Sequence, residues 1–216
     1  MSTHFHKIIR RIRYQGVRKT LFYLFGLCLG KCAIRINRIY RLPDQISLNR
    51  LEEEIQNKYT SLAFSICSQM EDFSEEDIQS LCAYEENLTD PSGFPKLFQR
   101  KMSCAIARIN GKLGGYCWFA KSPYPLPKQV PPECLKIQMC NTFPEFRGQG
   151  VYPGILNYAC WLIRQLNPDY PIVIKVSVFN DSSIRGIEKA HFRQLGYWFS
   201  LPLPFYRKTF HWSLQK

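Results

Sequence analysis

The sequence has no apolar run of the roughly 20 residues that a membrane-spanning helix needs; its longest such run, residues 21–29, is less than half that length. It also has no heptad array, no Gly-X-Y period and no internal repeat, which excludes coiled coils, collagen-like fibres and solenoids. What it does have is 45% apolar and 14% aromatic residues in 216 positions. This composition excludes wholesale disorder and predicts a full core in one to one-and-a-half domains.

Cysteine pairs of the C-x-x-C type are absent, although the chain has nine cysteines and four histidines. A zinc module needs closely spaced Cys or His ligands, and a disulfide framework needs an even number of cysteines. We therefore expect neither, and no metal. The cysteines are interpreted as small buried residues of a protein in a reducing, cytoplasmic compartment.

Acidic residues are missing from the first 43 positions, which hold ten Lys and Arg. Residues 44–100 carry a net charge of −8 and residues 101–216 carry +10, within +12 for the whole chain. A basic C-terminal half favours a phosphate-bearing partner such as a nucleotide cofactor, a lipid headgroup or a nucleic acid. We do not expect nucleic acid, because the basic residues are not interleaved with aromatic ones as in an RNP or OB surface.

Residues 7–41 form a basic segment in which Ile8, Ile9 and Ile12 recur at near-helical spacing. Three interpretations are open. A secretory signal fits poorly, because Lys31 interrupts the small-residue region and no cleavage site follows. A basic amphipathic helix would lie on the anionic inner face of a membrane, and the same helix could instead pack on the protein body. We expect a basic helical arm and linker over residues 1–58, and a folded domain over residues 59–216.

Caps, turns and periodicity predict the elements of that domain. Ser74 is a helix N-cap, Asn110-Gly111 predicts a hairpin, and proline-rich residues 122–132 predict a loop. The order β-α-α-β-β-β-α-β-α-β-β predicts a mixed α/β fold. Strands are expected at residues 61–66, 103–109, 113–119, 135–142, 171–179, 197–203 and 206–212, and helices at residues 74–82, 94–101, 151–166 and 182–195.

The motif Arg147-Gly148-Gln149-Gly150 joins a predicted strand directly to a predicted helix. Glycines there let successive N–H groups converge, and the helix adds the positive end of its dipole. Such a turn binds a pyrophosphate. The motif is neither a Walker A loop nor a GxGxxG fingerprint, and alone it also fits an ordinary strand-to-helix turn.

The wider pattern is more specific. Pro144-Glu145-Phe146 before the glycine turn, Asn180 and Ser183 after the next strand, and Glu188-Lys189 ahead of Phe192 resemble the GNAT superfamily of acetyl-CoA-dependent N-acyltransferases. The resemblance covers about residues 61–212. It implies a mixed, mostly antiparallel central sheet with one splayed parallel pair of strands, and acetyl-CoA as co-substrate.

The resemblance also implies a cofactor site. The backbone at the end of the strand over residues 135–142 would hydrogen-bond the pantetheine, the N–H groups of the glycine turn would hold the pyrophosphate, and the start of the last helix would meet the pantetheine from the other side. The residues so implied are Asn141, Thr142, Arg147, Gly148, Gln149, Gly150, Val151, Tyr152, Asn180 and Ser183.

Three positions depart from the family's pattern. Tyr152 stands where the phosphate turn usually has a small residue, Ile187 replaces the tyrosine that protonates the leaving thiolate in many relatives, and His191 replaces a glycine. The common acid is therefore absent. Each remaining candidate acid or base could equally have a surface or core role; they are Glu133, Tyr197 and His191, with Glu85 and Tyr206 behind them.

The predicted reaction is direct attack of a primary amine on the acetyl thioester. An amino-sugar or glycan precursor is the first choice of acceptor, and a small amine or a protein amino group remains open. The alternative is a catalytically degenerate GNAT-fold protein that docks on membranes or partners, for which Tyr152 and Ile187 are the best support.

Overall fold

The structure, a computed structural model, describes residues 35–84, 93–121, 130, 133–203 and 208–215, with the backbone alone for residues 83, 84, 93–95, 202, 203, 208–212 and 215. The strands in this part of the chain are β1 (Arg35–Arg41), β2 (Ala63–Cys67), β3 (Ser103–Ile109), β4 (Lys112–Lys121), β5 (Leu135–Thr142), β6 (Ile172–Ser177), β7 (Arg193–Leu203) and β8 (Lys208–Gln215). The helices are α1 (Leu48–Lys58), α2 (Glu75–Tyr84), α3 (Gly93–Gln99), α4 (Val151–Leu166) and α5 (Asp181–Lys189).

The strands form one sheet in the order β2-β3-β4-β5-β6-β1-β7-β8. Neighbours are antiparallel except β5 and β6, which are parallel. The predicted element order is confirmed from β2 onward, and so is the predicted class of a mixed, mostly antiparallel sheet with one parallel pair. None of the helices described here combines the length and apolarity that crossing a bilayer requires.

β1 is the main departure from the sequence prediction. The sequence places residues 35–41 at the end of a helical arm, and that prediction is wrong. They form a strand between β6 and β7, antiparallel to both. The register with β7 shifts between Ile39 and Tyr40, because Leu195 is an extra residue on β7. Ile39 and Tyr40 are both buried, each in a different core cluster. Residues 1–34 of the predicted arm lie outside the described residues.

The segment after β1 also packs into the sheet domain. Leu42 is fully buried, and its N–H donates to Ile172 O at 3.0 Å, where the sequence predicts a linker. α1 presents a buried Leu51 and packs against α4, so this charged helix contributes to the core. Residues 35–58 therefore share one core with the domain expected over residues 59–216, rather than standing apart as arm and linker.

Helices cover both faces of the sheet. α1, α4 and α5 lie over the larger core cluster, which contains Leu51, Ile155 and Ile187. α2 and α3 lie over the other face, where Trp118 of β4 packs with the rings of Phe73 and Phe98. Successive residues of β3 alternate between the two clusters, as the pleat of a strand requires.

Left-handed backbone at two turns bears on the predicted element bounds. Asn110 and Gly111 have φ of 50° and 79°, which confirms the predicted hairpin between β3 and β4. His191 has φ of 65° and lies just after α5, so the chain turns there in a conformation that favours glycine. α5 consequently ends at Lys189 and not at the predicted residue 195, and β7 begins at Arg193.

Most cysteines of the described residues are buried. Burial raises the pKa of Cys67 to about 12 and that of Cys134 to about 11, so these thiols stay protonated and unreactive. They behave as the small apolar residues that the sequence predicts. In the same part of the chain, no three Cys, His, Asp or Glu side chains converge as metal ligands would.

Candidate functional site

β5 and β6 separate part-way along their length. They pair from Leu135 with Ile172 to Ile137 with Ile174, and the ladder ends there. β5 then continues along β4, while β6 continues along β1. The carboxyl ends of the two parallel strands therefore form a wedge, and the predicted splayed pair is confirmed.

A bulge in β5 accounts for this separation. Tyr116 pairs with Asn141 but Trp118 pairs with Gln138, so two residues of β5 lie opposite one residue of β4. Within the bulge Met139 has φ of 50°, which is uncommon outside glycine. A bulge bends its strand, and here the bend carries the end of β5 away from β6.

The glycine turn lies directly after β5. Gly148 and Gly150 have φ of 82° and 77°, and Gly150 is the N-cap of α4 without a side-chain cap. Gly154 is the first residue of α4 to donate its N–H within the helix, to Gly150 O at 3.0 Å, and Pro153 has no N–H. The Arg147 N–H already donates to Pro144 O at 3.3 Å, so this N–H, which was expected to hold the pyrophosphate, is not free in this conformation. Within the described residues, the main-chain N–H groups left for a ligand at the positive end of α4 are those of Gly148, Gln149, Gly150, Val151 and Tyr152.

Two side chains of the motif brace this turn. Arg147 Nε donates to Thr142 O at 3.3 Å, and Gln149 Nε2 donates to Glu145 O at 3.0 Å. Both bonds go to main-chain oxygens, so these side chains hold the loop in shape.

Thr142 provides a test of whether a ligand fits. Its Oγ1 is buried and has no hydrogen-bond partner among the described residues, while its N–H is satisfied by Asn141 Oδ1 at 2.9 Å. A buried polar atom without a partner is rare in native proteins. This hydroxyl, next to the wedge and the glycine turn, fits a ligand that combines a phosphate with a polar arm.

Asn180 and Ser183 lie on the β6 side of the wedge, as expected. Asn180 caps α5, since its Oδ1 accepts the N–H of Ser183 at 3.3 Å and the hydroxyl of Ser182 at 3.0 Å. This use of the oxygen leaves the NH2 of the Asn180 amide for a ligand. Tyr152 packs from α4 against Gly186 of α5, and burial raises the pKa of its phenol well above the ordinary value.

The predicted acids and bases lie elsewhere. Glu133 precedes β5 and accepts from the Tyr170 hydroxyl at 3.3 Å; from the rise of a strand it is more than about 20 Å from Asn141. Tyr197 of β7 pairs with Arg38, so β1 stands between it and β6. The structure does not bring these two to the wedge, and their catalytic roles stay predictions.

His191 lies in a hydrogen-bond network that connects three helices, away from the wedge. Its Nε2 is 2.7 Å from Glu54 Oε1 of α1, and Glu54 Oε2 accepts from the buried Asn157 of α4 at 3.0 Å. The arrangement links the end of α5 to α1 and α4, which is a structural role; a catalytic one stays a prediction. Glu85 and Tyr206 lie outside the described residues.

Solved structures are similar to this chain in overall fold. An acetyltransferase of the GNAT family from Colwellia psychrerythraea superposes with a TM-score of 0.50 at 15% identity, over 82% of this chain and 59% of its own. The chain has the GNAT fold. A GCN5-related N-acetyltransferase-like protein from Streptococcus suis gives a TM-score of 0.49 at 13% identity, over 83% of this chain and 66% of its own.

This GNAT-fold chain spans less than two thirds of the length of both proteins. No protein-family model matches its sequence, and no curated protein does. At these identities the likeness establishes the fold, and the activity has to be argued from the site.

Proposed function

We propose that the protein is an acetyl-CoA-dependent N-acyltransferase that acetylates a primary amine. Its main support is that the wedge between β5 and β6 opens beside the glycine turn at the head of α4. Main-chain N–H groups of the turn would bind the diphosphate. The wedge would admit the pantetheine, with the Thr142 hydroxyl and the Asn180 amide as polar partners on its two sides.

Bound acetyl-CoA would supply an activated acyl group. The transfer forms a C–N bond to the acceptor and breaks the C–S bond. Starting from the protonated amine, its products are the amide, the free thiol and one released proton, which a base or water must take up. The bulged part of β5 is unpaired with β6, so an N–H group near Cys140 or Asn141 would polarise the acetyl carbonyl. Most of the rate enhancement would come from holding two partners together in a site closed to water.

Two lysines point to the chemistry of the acceptor. Lys136 of β5 and Lys175 of β6 each alternate with residues of the core beneath α4, so both lie on the opposite face of the sheet. Lys136 is in the paired part of the ladder, and Lys175 is the first residue of β6 beyond it, where the wedge opens. Burial lowers the pKa of both, and the charges of Lys136 and Arg35 lower that of Lys175 further. Two close cations would favour an acceptor with an anionic group. They support an amino-sugar nucleotide or another phosphorylated glycan precursor as the amine.

A thiol-release assay with acetyl-CoA tests this function. The panel of primary amines would include amino sugars with and without phosphate, alkyl amines and peptides. We expect release that depends on one class of amine. Binding of acetyl-CoA without release across the panel would favour the non-catalytic alternative, and absence of binding would contradict the proposal altogether.

A further inference from the structure

The end of α1 lies against the first turn of α4. Tyr59 is the C-cap residue of α1, and its ring packs on two glycines of that turn. A Cβ at Gly154 would lie 3.0 Å from Tyr59 Cδ1, whereas a Cβ at Gly150 would lie 3.5 Å from Tyr59 Cε1 and 3.7 Å from Cδ1. The ring therefore runs along α4 from Gly154 towards Gly150, and the edge that carries the hydroxyl lies at the N-cap.

This position is beside the glycine turn. Gly150 is both the N-cap of α4 and the last glycine of the turn, and it has no side chain to cap the helix. Leaving out its neighbours in the chain, only Tyr59 among the described residues comes within 4 Å of the point where a Cβ of Gly150 would lie. Tyr59 is thus the side chain that borders the start of α4 from outside the turn.

Glu54 holds α1 in this place. Its Oε2 accepts the side-chain amide of the buried Asn157 of α4 at 3.0 Å, and its Oε1 is 2.7 Å from His191 Nε2. Asn157 lies two helical turns after Gly150, so α1 is fastened to the same helix that begins at the glycine turn. The place of the Tyr59 ring is therefore set by the packing of two helices rather than by a loop.

The Tyr59 hydroxyl is left for a ligand. The side chain is only partly buried, and none of the described residues forms a hydrogen bond with its hydroxyl. Burial, and after it the charge of Glu54, raise the pKa of the phenol above its ordinary value, so the proton is present at neutral pH. A protonated phenol donates a strong hydrogen bond to an anionic oxygen.

We propose that Tyr59 is a further binding residue for coenzyme A, and that its hydroxyl donates a hydrogen bond to the diphosphate held by the glycine turn. This inference rests on the proposed function. The turn itself would contribute main-chain N–H groups, because the side chains of Arg147 and Gln149 already donate to main-chain oxygens. Tyr59 would add a side-chain donor, brought from α1 to the head of α4.

The test compares coenzyme A binding to the wild type and to Tyr59→Phe, which keeps the ring on the glycines and removes only the hydroxyl. Calorimetric titration should show binding about tenfold weaker in Tyr59→Phe, since one charge-assisted hydrogen bond is lost. In phosphorus NMR spectra of the bound coenzyme, the diphosphate resonances should differ between the two proteins, and the 3′-phosphate resonance should not. Tyr158→Phe, in α4 but stacked on Phe64 and Trp161, should match the wild type in both measurements.

The outcomes separate the two claims. If coenzyme A does not bind the wild type, the proposed function fails, and this inference with it. If it binds the wild type and Tyr59→Phe with equal affinity, only the role of Tyr59 is overturned. Weaker binding with unchanged diphosphate resonances, or with a change confined to the 3′-phosphate, would also overturn that role.

Discussion

Asp77 of α2 binds the guanidinium of Arg108 with both carboxylate oxygens, at 2.7 Å to Nη1 and 2.6 Å to Nη2. Asp77 is only 3% exposed. Its Oδ2 also accepts the Ser74 N–H at 3.2 Å, and Ser74 Oγ accepts the Asp77 N–H at 3.1 Å. The predicted cap at Ser74 is confirmed, and the ion pair ties the start of α2 to β3.

Asp77→Asn should destabilise the protein by about 2–3 kcal/mol at neutral pH, because it leaves Arg108 without its counter-ion. Burial by itself would raise the pKa of Asp77, but hydrogen bonds from Arg108 and Ser74 hold it below its ordinary value. The stabilisation is therefore present above the unfolded pKa of about 3.9 and is lost as pH falls through the lower folded pKa.

Urea unfolding of wild type and Asp77→Asn across acidic to neutral pH checks this. The difference in unfolding free energy should shrink as the pH falls. The exposed Glu75→Gln, in the same helical turn, should cost well under about 1 kcal/mol. A difference for Asp77→Asn that is the same at every pH would show that the ion pair is not its source.

Gly115 sets how closely β4 approaches the end of β5. A Cβ at Gly115 would lie 2.7 Å from Asn141 O and 2.9 Å from Val151 Cγ1, whereas one at Gly114 would lie 3.4 Å from Ala107 O. We expect Gly115→Ala to cost about 2 kcal/mol of stability and to weaken acetyl-CoA binding, because the end of β5 must move. Gly114→Ala is the control. Urea unfolding and calorimetric titration with acetyl-CoA would compare the two variants. If Gly114→Ala and Gly115→Ala change stability and affinity equally, the close contact at Gly115 is not what positions the end of β5.

The sequence alone predicted those elements whose conformation depends on a few adjacent residues. The Ser74 cap, the Asn110-Gly111 hairpin and the glycine turn before α4 each need only a few adjacent residues, and all three are found. The wedge was predicted through the resemblance carried by that turn. The order of elements from β2 onward followed from these local signals.

Strand pairing between segments far apart in the chain could not be predicted from the sequence. β1 lies in a stretch rich in Lys and Arg, which favoured a basic helical arm, and its partners are residues 173–177 and 193–200, far along the chain. The bulge in β5 has Met139 at its positive-φ position, so no glycine marks it in the sequence. The contact of Tyr152 with Gly186 joins two helices, so neither residue predicts it alone. In the sequence, it is indicated only by a glycine within α5 together with a bulky residue in the phosphate turn.

Replacing Lys136 or Lys175 should weaken binding of the acceptor more than binding of acetyl-CoA. Lys175→Met and Lys136→Met should each raise KM for a phosphorylated amine about tenfold, since one charge-assisted hydrogen bond is lost. KM for acetyl-CoA should hardly change. The exposed Lys112→Met, at the start of β4, is the control. Unchanged KM for every anionic acceptor in both variants would exclude an anion site at these lysines.

The basic segment before β1 should bind anionic membranes. We propose this for residues 1–34, because deletion to residue 41 would also remove β1 from the sheet. Vesicles containing anionic lipid should pellet the full chain and not the chain lacking residues 1–34, and added salt should weaken the association. Equal pelleting of both chains, or of neither, would favour the other interpretations of the segment.

Calorimetric titration with acetyl-CoA tests the central claim, that main-chain N–H groups of the glycine turn hold the coenzyme diphosphate. Gly148→Val/Gly150→Val should disturb the turn, because both positions have positive φ. Gly111→Val, also at positive φ and with open space around its Cβ, imposes similar strain outside the turn. We predict saturable binding to the wild type and to Gly111→Val, and binding at least about 100-fold weaker to the folded double variant. Unchanged affinity in that variant, or no binding to the wild type, would contradict the claim.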